Sequence, residues 1–179
     1  MTLPDQLTVL RIVAVPVVVL LYAWDFDNHA YWATTVFVVA MATDQVDGWL
    51  ARRSGTSSQL GKLLDPVADK VLVLATLVML VGLGVAPGWM IALIVVREIL
   101  VSGLRLAALE RGVVLGARDL GRVKTWAQAV AAAVAGYAAA GAWSDTVAWW
   151  ALLVALVATW VSGLDYARVA PRVLRREGA

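Results

Sequence analysis

The chain has 179 residues, the length of about one domain. Hydrophobic residues make up 61% of it and charged residues 16%, against roughly 45–50% and ~25% in soluble domains, and the mean hydropathy is +0.79. Those values exclude a disordered tail, a basic nucleic-acid-binding domain and an ordinary soluble enzyme, and they predict an all-α integral membrane protein. There is no cysteine, and His29 is the lone histidine. Disulfide frameworks, zinc-thiolate sites, thiol catalysis, His-based metal sites and Ser-His-Asp triads are therefore excluded as well. Any chemistry must rest on carboxylates, Arg, Lys and hydroxyls.

A hydrocarbon core of about 30 Å takes about 20 apolar residues per helix. Six stretches meet this, and they predict six transmembrane helices in one domain spanning 1–179. Met1–Leu10, with Pro4, Leu7, Val9 and Leu10 among polar residues, reads as a short interfacial segment. It is not expected to be a cleavable signal, because an acid, Asp5, stands where basic residues belong and no small-residue cleavage site follows the apolar run. The spans then run Leu7–Trp24, Ala30–Leu50, Leu63–Gly84, Pro87–Leu109, Arg122–Ala142 and Thr146–Tyr166. Short connections with turn chemistry join them, as at Asp25-Phe26-Asp27-Asn28 and Ser54-Gly55-Thr56-Ser57-Ser58. The fifth span is rich in alanine around Gly136, which suits close helix packing.

The charge map gives an expected orientation. The connections after spans 1, 3 and 5 hold Asp25, Asp27 and Asp145 and no Lys or Arg. The other side holds Arg52, Arg53, Lys62, Arg111, Arg118, Arg122, Lys124, Arg168, Arg172, Arg175 and Arg176. By the positive-inside rule both termini are cytoplasmic, in a cell (inner) membrane. Trp24, Trp32, Trp89, Trp143, Trp149 and Trp150 then form an outer aromatic belt.

Several charges stand where a span should be apolar, at about 2.5–3.5 kcal/mol each near the bilayer centre. Asp44 and Asp47 lie at the cytoplasmic end of span 2 and Asp65, Asp69 and Lys70 at the start of span 3. Arg97 and Glu98 lie near the middle of span 4, with Arg105 two turns on, and Lys124 falls in the first turn of span 5. Asp44 and Asp47 share a helix face at i,i+3, and Asp65 and Asp69 share one at i,i+4. The short connection 51–62 predicts spans 2 and 3 as antiparallel neighbours, so the four carboxylates converge just below the cytoplasmic surface. A lone Asp there is usually a helix cap and a lone Asp-Lys neighbour an ion pair. Four carboxylates at matched spacing instead repel unless protonated or neutralised by cations. Hard oxygen ligands favour Mg²⁺, Mn²⁺ or Ca²⁺, and two such ions about 4 Å apart are a standard clamp for phosphoryl chemistry. Gly48 and Gly61 would let a ligand approach the carboxylates closely, and Arg52 suits a phosphate or a base.

These residues spell Asp44-x-x-Asp47-Gly48-x-x-Ala51-Arg52-x8-Gly61-x-x-x-Asp65-x-x-x-Asp69. The pattern resembles the signature of the CDP-alcohol phosphotransferases at all eight fixed positions, and the six-span layout is similar too. The resemblance implies a homodimeric membrane enzyme that moves a phosphatidyl-type group from a CDP-linked donor to an alcohol and releases CMP. It implies two divalent cations, Mg or Mn, on Asp44, Asp47, Asp65 and Asp69. It further implies a CDP moiety against Gly48, Ala51, Arg52 and Gly61, and Asp69 as general base.

Further stretches resemble the phosphatidylglycerophosphate synthase branch of that family. They are Leu3-Pro4-x-x-Leu7-Thr8-x-x-Arg11, Leu64-Asp65-Pro66-Val67-Ala68-Asp69-Lys70, Arg97-Glu98-Ile99-x-Val101-Ser102-Gly103-Leu104-Arg105 and Lys124-Thr125. That branch implies CDP-diacylglycerol as donor, with Thr8 and Arg11 near it, and sn-glycerol 3-phosphate as acceptor. The acceptor's phosphate needs positive charge, for which Arg97, Arg105, Arg118, Arg122 and Lys124 are candidates; the competing reading of Arg97 is an ion pair with Glu98 or another helix's acid. Two positions depart from the branch: Asp5 stands where Asn is usual, and Arg122 where Lys is common. Inositol phosphate and serine stay open as acceptors. Two other classes also stay open, a divalent-cation transporter and a membrane scaffold. Against the transporter, the outer halves of spans 2 and 3 contain no ionisable side chain except the phenol of Tyr31.

Overall fold

The chain forms six α-helices in a computed structural model: α1 (Leu3–Ala23), α2 (His29–Ser54), α3 (Gln59–Gly82), α4 (Gly88–Glu110), α5 (Asp119–Ala139) and α6 (Asp145–Arg175). The structure describes the backbone of residues 3–54, 59–110 and 119–175, and the side chains within 11–43, 70–108 and 121–165. No strand occurs among the described residues.

Each predicted span falls on one helix. The N-terminal interfacial segment is not a separate element: α1 runs unbroken from Leu3 to Ala23. Pro4 lies in the first turn, where its missing N–H costs no helical hydrogen bond. Pro16 lies inside the helix, where its ring removes one backbone bond to the preceding turn. The helix start at Asp119 moves Lys124 from the first turn of α5 to the second.

The helix ends follow from local chemistry. Asn28 adopts φ 61° just before α2, a left-handed conformation that Asn tolerates better than most residues. Gly141, at φ 79°, closes α5. The Gly141 N–H donates to Ala138 O at 2.8 Å and the Ala142 N–H to Tyr137 O at 2.9 Å, the paired bonds of a Schellman cap. The Trp143 indole N–H donates to Val134 O at 2.8 Å, which serves a further carbonyl near that end. Tyr137 stands between Tyr31 and Trp143, with ring centroids 5.7 and 6.0 Å away. The α1–α2 and α5–α6 turns therefore share one end of the bundle.

The α5–α6 pair forms the largest helix–helix interface, and α1 packs extensively on both α2 and α3. Among the described residues α2 and α3 touch one another only slightly, and each packs more on α1 and α5; the side chains around the connection 51–62, where the two were expected to be neighbours, lie outside the described residues. The alanine tract explains part of that arrangement. Ala129, Ala131, Ala132, Ala135 and Ala138 are buried, and a helix this thin accepts neighbours on several faces.

The interior is largely apolar, yet it also holds charged side chains, and the surface is rich in large apolar groups. Every helix exposes large apolar groups, among them Val13, Leu20, Val39, Val78, Ile99, Leu100, Val130, Val154 and Val161, while Arg11, Arg97, Glu98, Lys124 and Gln128 are buried. Charged residues are almost never fully buried unless paired. Among the described residues one helix, over Asp145–Asp165, is long and apolar enough by itself to cross a membrane. Arg97, Glu98 and Arg105 interrupt the apolar run of α4.

Candidate active site

Four helices bring polar side chains together around Glu98. It sits in α4 at 3% exposure, beside Arg97, also at 3%. The Arg97 Nη1–H donates to Glu98 Oε1 at 2.9 Å. Lys124, from α5, donates to the same oxygen, as does Gln128 Nε2 at 3.2 Å. Gln128 is one turn beyond Lys124, so both reach the carboxylate from one face of α5. Gln128 also donates to Thr159 Oγ1 at 2.8 Å, and Arg97 Nη2 to Ser162 Oγ at 3.0 Å, which ties in α6. From α3, Lys70 Nζ stands 3.8 Å from Glu98 Oε2 and donates to Ser102 Oγ at 2.8 Å.

The balance of charge in this cluster is uneven. Lys70, Arg97 and Lys124 surround one carboxylate, and the two buried cations, Arg97 and Lys124, share it as a counter-ion. Arg97 and Lys124 are buried, whereas the Lys70 side chain is 31% exposed and forms the accessible edge. Two buried atoms of this cluster make no hydrogen bond with the described residues, Arg97 Nε and Glu98 Oε2. Buried polar atoms without a hydrogen bond are rare enough to call for an explanation, and a site awaiting a ligand is one.

The predicted site residues divide as follows. Arg97 and Lys124 come together on Glu98. The ion-pair reading of Arg97 is thus correct as far as it goes, yet the shared acid is too little to neutralise its cations. Arg105 is half-buried further along α4, Arg122 is exposed near the start of α5, and Arg11 is buried in α1. The backbones of Asp44, Asp47, Gly48, Ala51 and Arg52 belong to α2, those of Gly61, Asp65 and Asp69 to α3, and that of Thr8 to α1; their side chains, and Arg118 altogether, lie outside the described residues. Among the described residues no group of three His, Cys, Asp or Glu comes together. Sequence reasoning missed the role of Glu98 as shared acceptor, and Gln128, Thr159 and Ser162 entirely. The available signal was that cations on three spans need a common counter-ion, and Glu98 is the acid nearest mid-span.

An apolar groove lies between α2 and α5, about 310 Å³ in volume and open on one side. Phe37, Met41, Trp126, Val130 and Ala133 are among its lining residues. Met41 is less than one turn before Asp44 on α2.

The family model of the CDP-alcohol phosphatidyltransferases matches residues 1–161. Over 141 residues the chain is 40% identical to the CDP-diacylglycerol–glycerol-3-phosphate 3-phosphatidyltransferase of Bacillus subtilis, covering 72% of this chain and 73% of that one. The protein of that name from Rickettsia bellii is 33% identical over 167 residues, covering 92% of both chains. The one from Escherichia coli is 37% identical over 137 residues, covering 73% of this chain and 74% of the other. With a family match across all but the last part of α6, and relatives this similar over most of their length, the chain belongs to the CDP-alcohol phosphatidyltransferase family.

Proposed function

We propose that the chain transfers the phosphatidyl group of CDP-diacylglycerol to sn-glycerol 3-phosphate, giving phosphatidylglycerol phosphate and CMP. The observation that carries this reading is the cluster of Lys70, Arg97 and Lys124 around a single buried carboxylate. Arg97 and Lys124 share that carboxylate, and the residual positive charge in a site of low exposure suits an anionic phosphomonoester. The acceptor's identity as glycerol 3-phosphate is supported by the names of the relatives.

In this reading Asp44, Asp47, Asp65 and Asp69 hold two divalent cations, Mg or Mn. The donor set fits hard cations: it is all carboxylate oxygen, and α2 and α3 are helical through all four positions, so each pair shares a face. When bound, such ions supply charge neutralisation for the donor's pyrophosphate and the departing CMP. Gly48, Ala51, Arg52 and Gly61 accommodate the CDP moiety, with Thr8 and Arg11 beside the donor.

The acceptor's phosphate binds at the cationic cluster, which orients its hydroxyl toward the donor's lipid-side phosphorus. Asp69 takes the hydroxyl proton as the oxygen attacks. The new P–O bond forms as the P–O bond to CMP breaks, and CMP leaves with that electron pair. Lys70, the residue after Asp69, links the two halves of the site. The apolar groove between α2 and α5 gives a place beside Asp44 for an acyl chain. The apolar outer surface of all six helices supports a six-span protein in the cell membrane, working as a homodimer with both termini and the active site on the cytoplasmic side.

The test is CMP release by detergent-purified protein given CDP-diacylglycerol and Mg²⁺ or Mn²⁺, with acceptors offered singly. Turnover is expected with glycerol 3-phosphate and not with inositol phosphate, inositol or serine. Turnover only with another alcohol overturns the acceptor. Asp69→Asn should abolish CMP release while leaving some metal binding, and retained turnover would sink the general-base role.

A further inference from the structure

Arg97 crosses from α4 to α6 and lies against Gly163. A Cβ built on Gly163 would stand 3.0 Å from Arg97 Nε, 3.3 Å from its Cγ and 3.7 Å from its Cδ. Contacts that tight are tolerated only where the neighbour can retreat. Arg97 is held at both ends: Nη2 donates to Ser162 Oγ at 3.0 Å and Nη1 to Glu98 Oε1 at 2.9 Å. Glu98 in turn is fixed by Lys124 and by Gln128. The guanidinium is buried. Its Nε, the nitrogen nearest Gly163, makes no hydrogen bond among the described residues.

Gly163 also sits inside α6, where glycine is a poorer helix former than alanine. A position concerned only with helix stability would gain from a methyl group. Here the methyl group would occupy the space beside the Arg97 stem.

We infer that Ser162 and Gly163 are positioning residues for the transfer reaction: they seat the Arg97 guanidinium on α6 and fix where it meets the acceptor's phosphomonoester. The inference rests on the reading above that Arg97 serves the acceptor phosphate. Neither residue touches the reacting atoms. Ser162 fixes one end of the guanidinium, and Gly163 lets the stem lie close to the helix. A displacement of less than an ångström at a charged ligand to substrate is enough to change turnover.

The experiment compares Gly163→Ala, Ser162→Ala, Arg97→Gln and the double variant Gly163→Ala with Arg97→Gln, all in full-length detergent-purified protein. KM is read separately for glycerol 3-phosphate and for CDP-diacylglycerol, together with thermal stability. Gly163→Ala should raise the acceptor KM about tenfold, leave the donor KM unchanged and leave thermal stability equal or higher. Its effect should vanish in the Arg97→Gln background. Ser162→Ala, which introduces no clash, should raise the acceptor KM about three- to tenfold, and it keeps the test decisive if Gly163→Ala fails to fold. If Arg97→Gln raises the acceptor KM while neither α6 variant does, the seat is refuted and the acceptor site stands. An equal effect of Gly163→Ala in both backgrounds also refutes the seat, because it marks a general packing defect. If Arg97→Gln leaves the acceptor KM unchanged, the acceptor-site reading of Arg97 fails and the inference falls with it.

Discussion

Helix α5 carries two polar nodes about 18 Å apart along its axis, at 1.5 Å per residue, and they are built on opposite plans. Near its C-terminal end, Gly136 meets Tyr22 of α1 and Thr34 of α2. Tyr22 Oη and Thr34 Oγ1 are 2.8 Å apart, and Thr34 donates to Ala30 O at 2.6 Å. This node is uncharged, and each hydroxyl has a partner. Near the N-terminal end, Lys124 and Gln128 meet Glu98, Arg97 and Lys70. That node is charged, unequal in sign, and leaves Arg97 Nε and Glu98 Oε2 without hydrogen bonds. A fully satisfied node contributes stability, whereas a buried charged node with unmet hydrogen-bonding atoms is maintained at a cost.

Substitutions should therefore separate the two nodes by what they disturb. The largest effect belongs to Glu98→Gln, which removes the carboxylate charge that Lys70, Arg97 and Lys124 approach. Breaking a buried pair in this way costs about 3–5 kcal/mol, so a much lower thermal midpoint is expected. A fall in kcat/KM for glycerol 3-phosphate of about tenfold or more should accompany it. An active, fully stable Glu98→Gln protein would break the contrast at its charged end.

Gly136→Ala comes next. A Cβ there would stand 2.3 Å from Thr34 Oγ1 and 2.6 Å from Tyr22 Oη. Overpacking of this kind costs about 1–3 kcal/mol, which thermal unfolding in detergent would register. The KM values of the folded fraction should be unchanged. A shift in acceptor KM without loss of stability would show that the uncharged node also acts on the site. Thr34→Val should have the smallest effect, about 1–2 kcal/mol, because it strands the Tyr22 hydroxyl in a buried setting. Equal stability of Thr34→Val and the parent would mean the hydroxyl pair contributes nothing measurable.

Hydropathy and turn chemistry located all six helices to within a few residues at most ends, because long apolar runs bounded by Asn, Asp and Gly leave few alternatives. The continuity of α1 was less legible, because the apolar residues of Met1–Leu10 are mixed with polar ones and read as an interfacial segment rather than as the first turns of a span. The lateral order of the helices was not legible at all. A short connection between α2 and α3 says that they are near one another, not that α1 lies against both. The cationic candidates Arg97 and Lys124 could be named from their depth in the spans. Glu98 could be named as a partner of Arg97, its neighbour in sequence, but not of Lys124 and Gln128, because those meet it only through packing between α4 and α5. Gly163 carries no signal in the sequence, because its closeness to the Arg97 stem arises only from the packing of α4 on α6.

The segments joining α1 to α2, α3 to α4 and α5 to α6 are five residues long in each case, at 24–28, 83–87 and 140–144. Connections this short tether their helices firmly in pairs. The Tyr31–Tyr137–Trp143 contacts clasp two of those tethers together, beside the close-packed Tyr22–Thr34–Gly136 joint. This end of the bundle is therefore cross-braced by ring contacts, paired hydroxyls and short connections, about 18 Å along α5 from the charged cluster at Lys124.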